Sequence, residues 1–235
     1  MTLTILMPCL NEAKTVGPCV AEALGFLSRS GVKGEVLVVD NGSADGSPAL
    51  AQAAGARVVT EARRGYGAAL MRGFREARGR FIVYGDCDGS YDFSDLTPFL
   101  AAFEQGAALV AGDRFAGGIS PGAMPPSHRL GVPALSALAR LRFGVGVRDF
   151  HCGLRGVRRD TALSLGLRCP GMEFATEIIA ACARRGLPIM QVRVPLRPDG
   201  RAGPSHLRTL RDGLRHLRFI CFPKLNRDNA NLKGA

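Results

Sequence analysis

Phe81-Ile82-Val83-Tyr84-Gly85-Asp86-Cys87-Asp88 is the stretch on which the fold turns. Four consecutive apolar residues closed by a glycine predict a short strand buried on both faces. The strand runs directly into two carboxylates that flank one residue. Upstream, Leu3 to Met7 predicts a first strand stopped by Pro8, Val36 to Val39 a second that ends at Asp40, and Ala56 to Thr60 a third. Helical spacing lies between them, from Asn11 to about Ser30, from Ser47 to Ala54 and from Gly67 to Ala77. This alternation predicts an α/β fold with a mostly parallel, doubly wound sheet flanked by helices. Ligands of such sheets bind at the carboxyl ends of the strands. Pro8–Glu12, Asp40–Ser43 and Asp86–Asp88 are therefore expected to converge on one crevice.

Downstream, residues 116–133 are rich in Gly and Pro and read as a loop. His151 to Arg159 reads as extended or mixed, Glu173 to Arg185 as a helix, and Ile189 to Val194 as a late strand. Residues 205–222 predict a basic amphipathic helix, with Leu207, Leu210, Leu214 and Leu217 on one face and Arg208, Arg211, Arg215 and Arg218 elsewhere. A single domain is expected over 1–222, with a donor half (1–115), an acceptor half (116–222) and a polar tail (223–235).

Charge divides the chain unevenly. The net charge of +11 arises wholly after residue 100: residues 1–100 hold 10 basic and 11 acidic side chains, and 101–235 hold 21 and 9. Such a field recruits an anionic partner, or else marks only an Arg-rich soluble protein. Trp is absent and aromatic residues are 6% of the chain, so no base-stacking platform and no nucleic-acid partner are expected. The seven Cys show no zinc-type spacing and read as reduced, packed thiols. The opening residues lack a basic leader and a long apolar core, and no uncharged stretch is long enough to span a bilayer. A cytoplasmic setting is expected. The 205–222 helix either covers the sheet or rests peripherally on the cytoplasmic membrane face.

Two carboxylates as close as Asp86 and Asp88 repel unless a cation or proton lies between them. Oxygen ligands suit Mg²⁺ or Mn²⁺, which often bridge to substrate phosphates and neutralise a diphosphate leaving group. Taken alone, an Asp-X-Asp triplet is a weak sign. Its surroundings strengthen it. Leu6 to Glu12, with Pro8, Asn11 and Glu12, resembles the "PxxNE" opening of family 2 glycosyltransferases of the GT-A fold. Val38-Val39-Asp40-Asn41-Gly42-Ser43-Ala44-Asp45-Gly46-Ser47 resembles their "VVDDGSxDGT". Arg64 to Gly79 is similar to the glycine-rich helix that precedes their metal motif, and Asp86-Cys87-Asp88 follows in order. Asp149 to Arg155 resembles the "DxxCGFR" element of the polyprenyl-phosphate branch, relatives of dolichyl-phosphate mannose and glucose synthases.

The resemblance implies an inverting glycosyltransferase that uses a nucleotide-diphosphate sugar such as a UDP- or GDP-sugar. It implies donor contacts at Pro8, Asn11, Glu12, Asp40, Asn41, Gly67, Asp86, Cys87 and Asp88, with Asp86 and Asp88 holding Mg²⁺ or Mn²⁺. Arg201 and Ser205 match the late "RxGxS" segment that closes over the diphosphate, and His206 follows it as a further donor contact. Arg114 and Arg129 match arginines facing an acceptor phosphate, for which the guanidinium fork is suited. Asp88, Glu173 and Glu177 are the catalytic candidates; an ionised phosphate acceptor needs no general base. Asn41 departs from the usual second Asp, and His206 from the usual Lys, which makes its charge pH-dependent.

Two bland readings and two other functions stand beside this one. Gly65-Tyr66-Gly67 lacks the third Gly of a dinucleotide fingerprint. The four His are scattered, though His151 lies in a matched motif. Transfer to a soluble acceptor is the second enzymatic reading. A non-catalytic, basic lipid- or nucleic-acid-binding protein is the third, and intact Asp40, Asp86, Asp88 and Arg201 argue against it.

Overall fold

The computed structural model describes residues 2–201 and 209–222. In chain order its elements are β1 (Thr2–Cys9), α1 (Val16–Ser30), β2 (Lys33–Asp40), α2 (Ser47–Ala53), β3 (Arg57–Thr60), α3 (Tyr66–Glu76), β4 (Phe81–Tyr84), α4 (Thr97–Glu104), β5 (Leu109–Asp113), α5 (Arg114–Gly117), α6 (Pro126–Phe143), β6 (Arg155–Arg158), α7 (Arg159–Ser164), α8 (Phe174–Arg184), β7 (Ile189–Arg193) and α9 (Thr209–Cys221). The strands form one sheet in the order β3-β2-β1-β4-β6-β5-β7. Only β6 runs against its neighbours; β4 and β5 both pair with it antiparallel.

Strand alternation divides the core into two layers. Leu3, Ile5 and Met7 of β1 face α1 and α4, where Val20, Phe26, Phe99 and Phe103 are buried. Leu6 of β1 and Leu37 and Val39 of β2 face the other way, against Leu70, Phe74, Phe174 and Ile178 of α3 and α8. The result is the expected helix–sheet–helix sandwich. Because β6 is reversed, the carboxyl ends of β1, β2, β4 and β5 and the amino end of β6 share one edge.

Four local expectations need correction. Pro8 does not stop β1, which continues to Cys9 with Pro8 in register with Val39. Leu6 accepts from the Gly85 N–H on the β4 side. Pro8 faces the same side, where β4 has already ended, so its missing N–H costs no ladder bond. Secondly, α1 begins at Val16, not Asn11; Asn11 holds a positive φ of 55° in the turn that precedes it. Thirdly, residues 126–133 are helical and open α6. Pro126 lies in its first turn, where a missing N–H is harmless, and Pro133 is carried inside the helix.

The fourth correction concerns the last helix, where Leu214 and Leu217 do not cover the sheet. The buried side chains of α9 are Asp212, His216, Phe219 and Ile220, at i, i+4, i+7 and i+8, while Leu214 and Leu217 are exposed. Leu207, Arg208 and the side chain of Leu210 lie outside the described residues.

The buried His216 makes stability depend on acid. Its Nδ1 shares a 2.8 Å hydrogen bond with Thr176 Oγ1, and its ring stands edge-on to His151 at 4.4 Å. Burial, then the charges of Arg155 and Arg215, push it down from 6.5 to about 4. The unfolded chain therefore takes up the proton first as pH falls. The stability is fully present above about pH 6.5 and is lost down to about pH 4, to a total of about 3 kcal/mol. Urea unfolding across that range should show the loss, and His216→Gln should reduce its slope.

Candidate functional site

The shared sheet edge is built from polar groups that fix one another. Asp40, the last residue of β2, accepts the Gly42 and Ser43 N–H groups, each at 3.1 Å. Gly42 adopts φ 89°, which a side chain would strain. The loop after β1 is knitted to the loop after β2. Asn11 N–H donates to Ser43 Oγ at 2.9 Å, Asn11 Oδ1 accepts the Ala44 N–H at 2.8 Å, and Glu12 N–H donates to Ser47 Oγ at 2.8 Å.

Asn41 explains its own departure from Asp. Its Nδ2 donates to the Glu61 and Arg63 carbonyls, both at 2.9 Å, and its Oδ1 accepts the Gly65 N–H at 2.7 Å. A carboxylate cannot donate to two carbonyls. Asn41→Asp should therefore destabilise the chain by about 2 kcal/mol, through two unmet carbonyls and a charge beside them. A urea titration at neutral pH reads this, and an unchanged midpoint would refute the clamp.

Arg201 ties three segments together. Its Nε lies 2.9 Å from Glu12 Oε1, and its Nη2 donates to Asp88 Oδ2 at 2.6 Å. Segment 197–200 runs beside the Asp88 loop, with Gly200 N–H on the Asp88 carbonyl and Arg197 N–H on that of Ser90. Asp88 is further fixed through Oδ1, which accepts the N–H and hydroxyl of Ser90 at 2.9 and 2.5 Å. Burial raises the Glu12 carboxyl above its ordinary value, against the opposing pull of Arg201.

Asp86 is the strained member of the pair. Desolvation, with Asp88 beside it, pushes it up to about 7. Among the described residues no group of three or more His, Cys, Asp or Glu gathers that could hold a metal alone. Two neighbouring hard oxygen donors fit a divalent cation, which would need further ligands from elsewhere, such as a phosphate-bearing substrate. Cys87 between them is buried and points its thiol at the Pro8 carbonyl, 3.3 Å away, so it contributes packing beneath the edge.

Beyond Asp86 the loop 149–154 closes the edge. A Cβ on Gly153 would meet Asp86 Oδ2 at 2.5 Å, so only glycine allows this approach. Gly153 N–H donates to Tyr91 Oη at 2.7 Å. Arg114 is held as a fork by Asp149, Nε to Oδ2 at 2.7 Å and Nη2 to Oδ1 at 3.0 Å. His151 follows in the same loop, both ring nitrogens buried without a hydrogen-bond partner. Burial, then the charges of His216 and Arg114, drive it well below the usual histidine value, so it is neutral.

Asp149 and Arg155 are the residues to which sequence reasoning gave no role. Arg155 is fully buried and donates to the carbonyls of Cys152, Ala175 and Phe150 at 2.8, 2.6 and 2.5 Å. The signal was present: an acid and an arginine bracket a short motif whose only other ionisable side chains are His151 and Cys152.

Four other expected site residues have the following surroundings. A Cβ on Gly67 would meet the Cys169 carbonyl at 2.1 Å, so this glycine serves the packing of α3 on the 169–171 loop. Glu177 accepts the N–H groups of Arg168 and Cys169, at 3.1 and 2.9 Å. Glu173 stands 3.7 Å from Arg215. Arg129 is exposed on α6. Ser205 and His206 lie outside the described residues.

Known proteins resemble this chain in sequence and in fold. Residues 4–164 match the Glycosyl transferase family 2 model. The low-salt glycan biosynthesis hexosyltransferase Agl6 of Haloferax volcanii is 37% identical over 93% of this chain, which spans only 53% of that protein's length. A dolichyl-phosphate hexose transferase of the same organism is 31% identical over 87% of this chain and 86% of its own. Among solved structures, glucosyl-3-phosphoglycerate synthase from Mycobacterium tuberculosis, in complex with Mn²⁺, UDP-glucose and phosphoglyceric acid, superposes with a TM-score of 0.72. It is 26% identical and covers 94% of this chain and 79% of its own. A GT-A-type sheet, the matched motifs and these relatives together make the chain a member of glycosyl transferase family 2.

Proposed function

We propose that this chain transfers a hexose from a UDP- or GDP-sugar to a polyprenyl phosphate, with inversion at the anomeric carbon. The observation that carries the reading is the meeting of Glu12, Asp88 and Arg201 beside the crowded Asp86 at the strand ends. Pro8, Asn11, Asp40 and Asn41 shape the base and ribose end, the last two chiefly by fixing backbone. Asp86 and Asp88 would hold Mg²⁺ or Mn²⁺, which when bound neutralises charge on the departing diphosphate. Arg201 adds a cation where that charge develops.

An acceptor phosphate oxygen attacks the anomeric carbon as the bond to the diphosphate breaks, and the electron pair leaves with the nucleoside diphosphate. That oxygen is already ionised, so neither Glu173 nor Glu177 is needed as base. Arg114, braced by Asp149, is the acceptor-side cation, and Arg129 a second one at the rim. The dolichyl-phosphate relative supports a lipid acceptor. The phosphoglyceric acid in the glucosyl-3-phosphoglycerate synthase complex supports a second reading, transfer to a small soluble phosphate.

A panel of UDP-, GDP- and dTDP-sugars, with Mn²⁺ or with EDTA, tests donor and metal together. Detergent-dispersed polyprenyl phosphate and phosphoglyceric acid are offered separately, and products are read by mass spectrometry. Metal-dependent formation of a glycosyl polyprenyl phosphate is expected. Transfer to the soluble acid alone would overturn the lipid reading.

A further inference from the structure

Helix α6 is apolar on both sides, a pattern that normally means burial all round. Ser136 and Ala139 are buried, with Leu135 and Phe143 packed partly beneath, yet the opposite stripe faces solvent. That stripe runs through Leu130, Ala134, Ala137 and Leu141, at i, i+4, i+7 and i+11, with Leu130 79% and Leu141 84% exposed. Arg129, Arg140 and Arg142 flank it. Helix α9 packs against α6, with Phe143 and Phe219 rings 6.4 Å apart, and repeats the design. It presents Leu214 and Leu217 outward beside Arg211 and Arg218, and buries its acid, Asp212. Of the eight exposed large apolar side chains among the described residues, six lie on α6, on α9 or at Phe222, which follows it. The coincidence marks one region as a docking surface rather than scattered exposure.

We infer that the outward faces of α6 and α9 rest on an anionic lipid bilayer. The leucine stripe enters the boundary between headgroups and acyl chains, and the arginine flanks meet lipid phosphates. Charge decides the occupant. α6 contains no acidic residue and the acid of α9 is buried, so a second copy would set arginine flank against arginine flank. The surface also adjoins the site: the His216 ring of α9 stands 4.4 Å from His151 in the loop that holds Asp149. The inference rests on the helix faces and does not require a polyprenyl acceptor.

Co-sedimentation of the chain with phosphatidylcholine vesicles, with and without phosphatidylglycerol and without any polyprenyl phosphate, tests it. Binding to the anionic vesicles that weakens with salt is expected. The double variant Leu130→Glu/Leu141→Glu should bind them about tenfold more weakly, with unchanged melting temperature and nucleotide-sugar affinity. Arg140→Gln/Arg142→Gln should lose the preference for anionic over neutral vesicles. No binding to anionic vesicles, or undiminished binding by the double glutamate variant, would overturn the surface. So would a dimer in sedimentation velocity that this variant dissolves. Transfer to detergent-dispersed polyprenyl phosphate is assayed separately on both proteins: vesicle binding without transfer would sink the acceptor reading and leave this one standing.

Discussion

Asp88→Asn is expected to lower kcat/KM for sugar transfer about 1,000-fold, equivalent to roughly 4 kcal/mol, while the protein stays folded. The substitution is chosen from the geometry. Asn retains an oxygen to accept the Ser90 N–H and hydroxyl, so the turn after β4 keeps its bonds. What it loses is the negative charge that pairs with Arg201 and, with Asp86, would draw a divalent cation. Asp86 should then feel less repulsion and ionise more readily, since Asp88 is its second largest source of upward shift after burial. Initial rates over a Mn²⁺ series, beside a melting curve, read both effects. Turnover within tenfold of the parent would remove Asp88 from the chemistry.

Arg155→Met should cost about 3 kcal/mol or more of stability. Met fills a similar volume but donates nothing. The carbonyls of Phe150, Cys152 and Ala175 would then lie buried without their donors. Replacing a buried ion pair with apolar groups is often harmless, but here the partners are backbone carbonyls that no substitution removes. Arg155→Lys should recover only part, because an ammonium lacks the planar fork that meets three carbonyls. The readout is the urea midpoint, with the slope checked for constancy. The 149–154 loop should also loosen, raising KM for the acceptor more than for the donor.

The first four strands and β7 were legible because they are short runs rich in apolar residues, the pattern of a buried sheet, whereas β5 was not anticipated. Asp40, Asp86 and Asp88 could be placed at one edge for the same reason. Pro8 misled because a proline's cost depends on which neighbour it faces, and sequence does not reveal that β4 ends two residues early. Residues 126–133 misled because Gly and Pro signal a loop locally, while packing of Ser136, Ala139 and Phe143 rewards a helix. The face of α9 misled through its leucines, since hydrophobicity alone cannot say which stripe turns inward when Asp212 and His216 find buried places. Asn41 looked like a weakened aspartate and proved to be a two-way clamp, visible only once Glu61 and Arg63 are beside it.

The Arg201 link has a consequence for synthesis on the ribosome. Glu12 and Asp88 leave the exit tunnel long before Arg201 is made, and chains begin to fold from their N-terminal part. A nascent chain thus carries an acidic notch whose counter-charge does not yet exist. Arg201 follows β7 in the chain, so the notch gains that partner only late in synthesis. An N-terminal fragment ending at β5 should therefore hold cations more readily, and less selectively, than the finished protein.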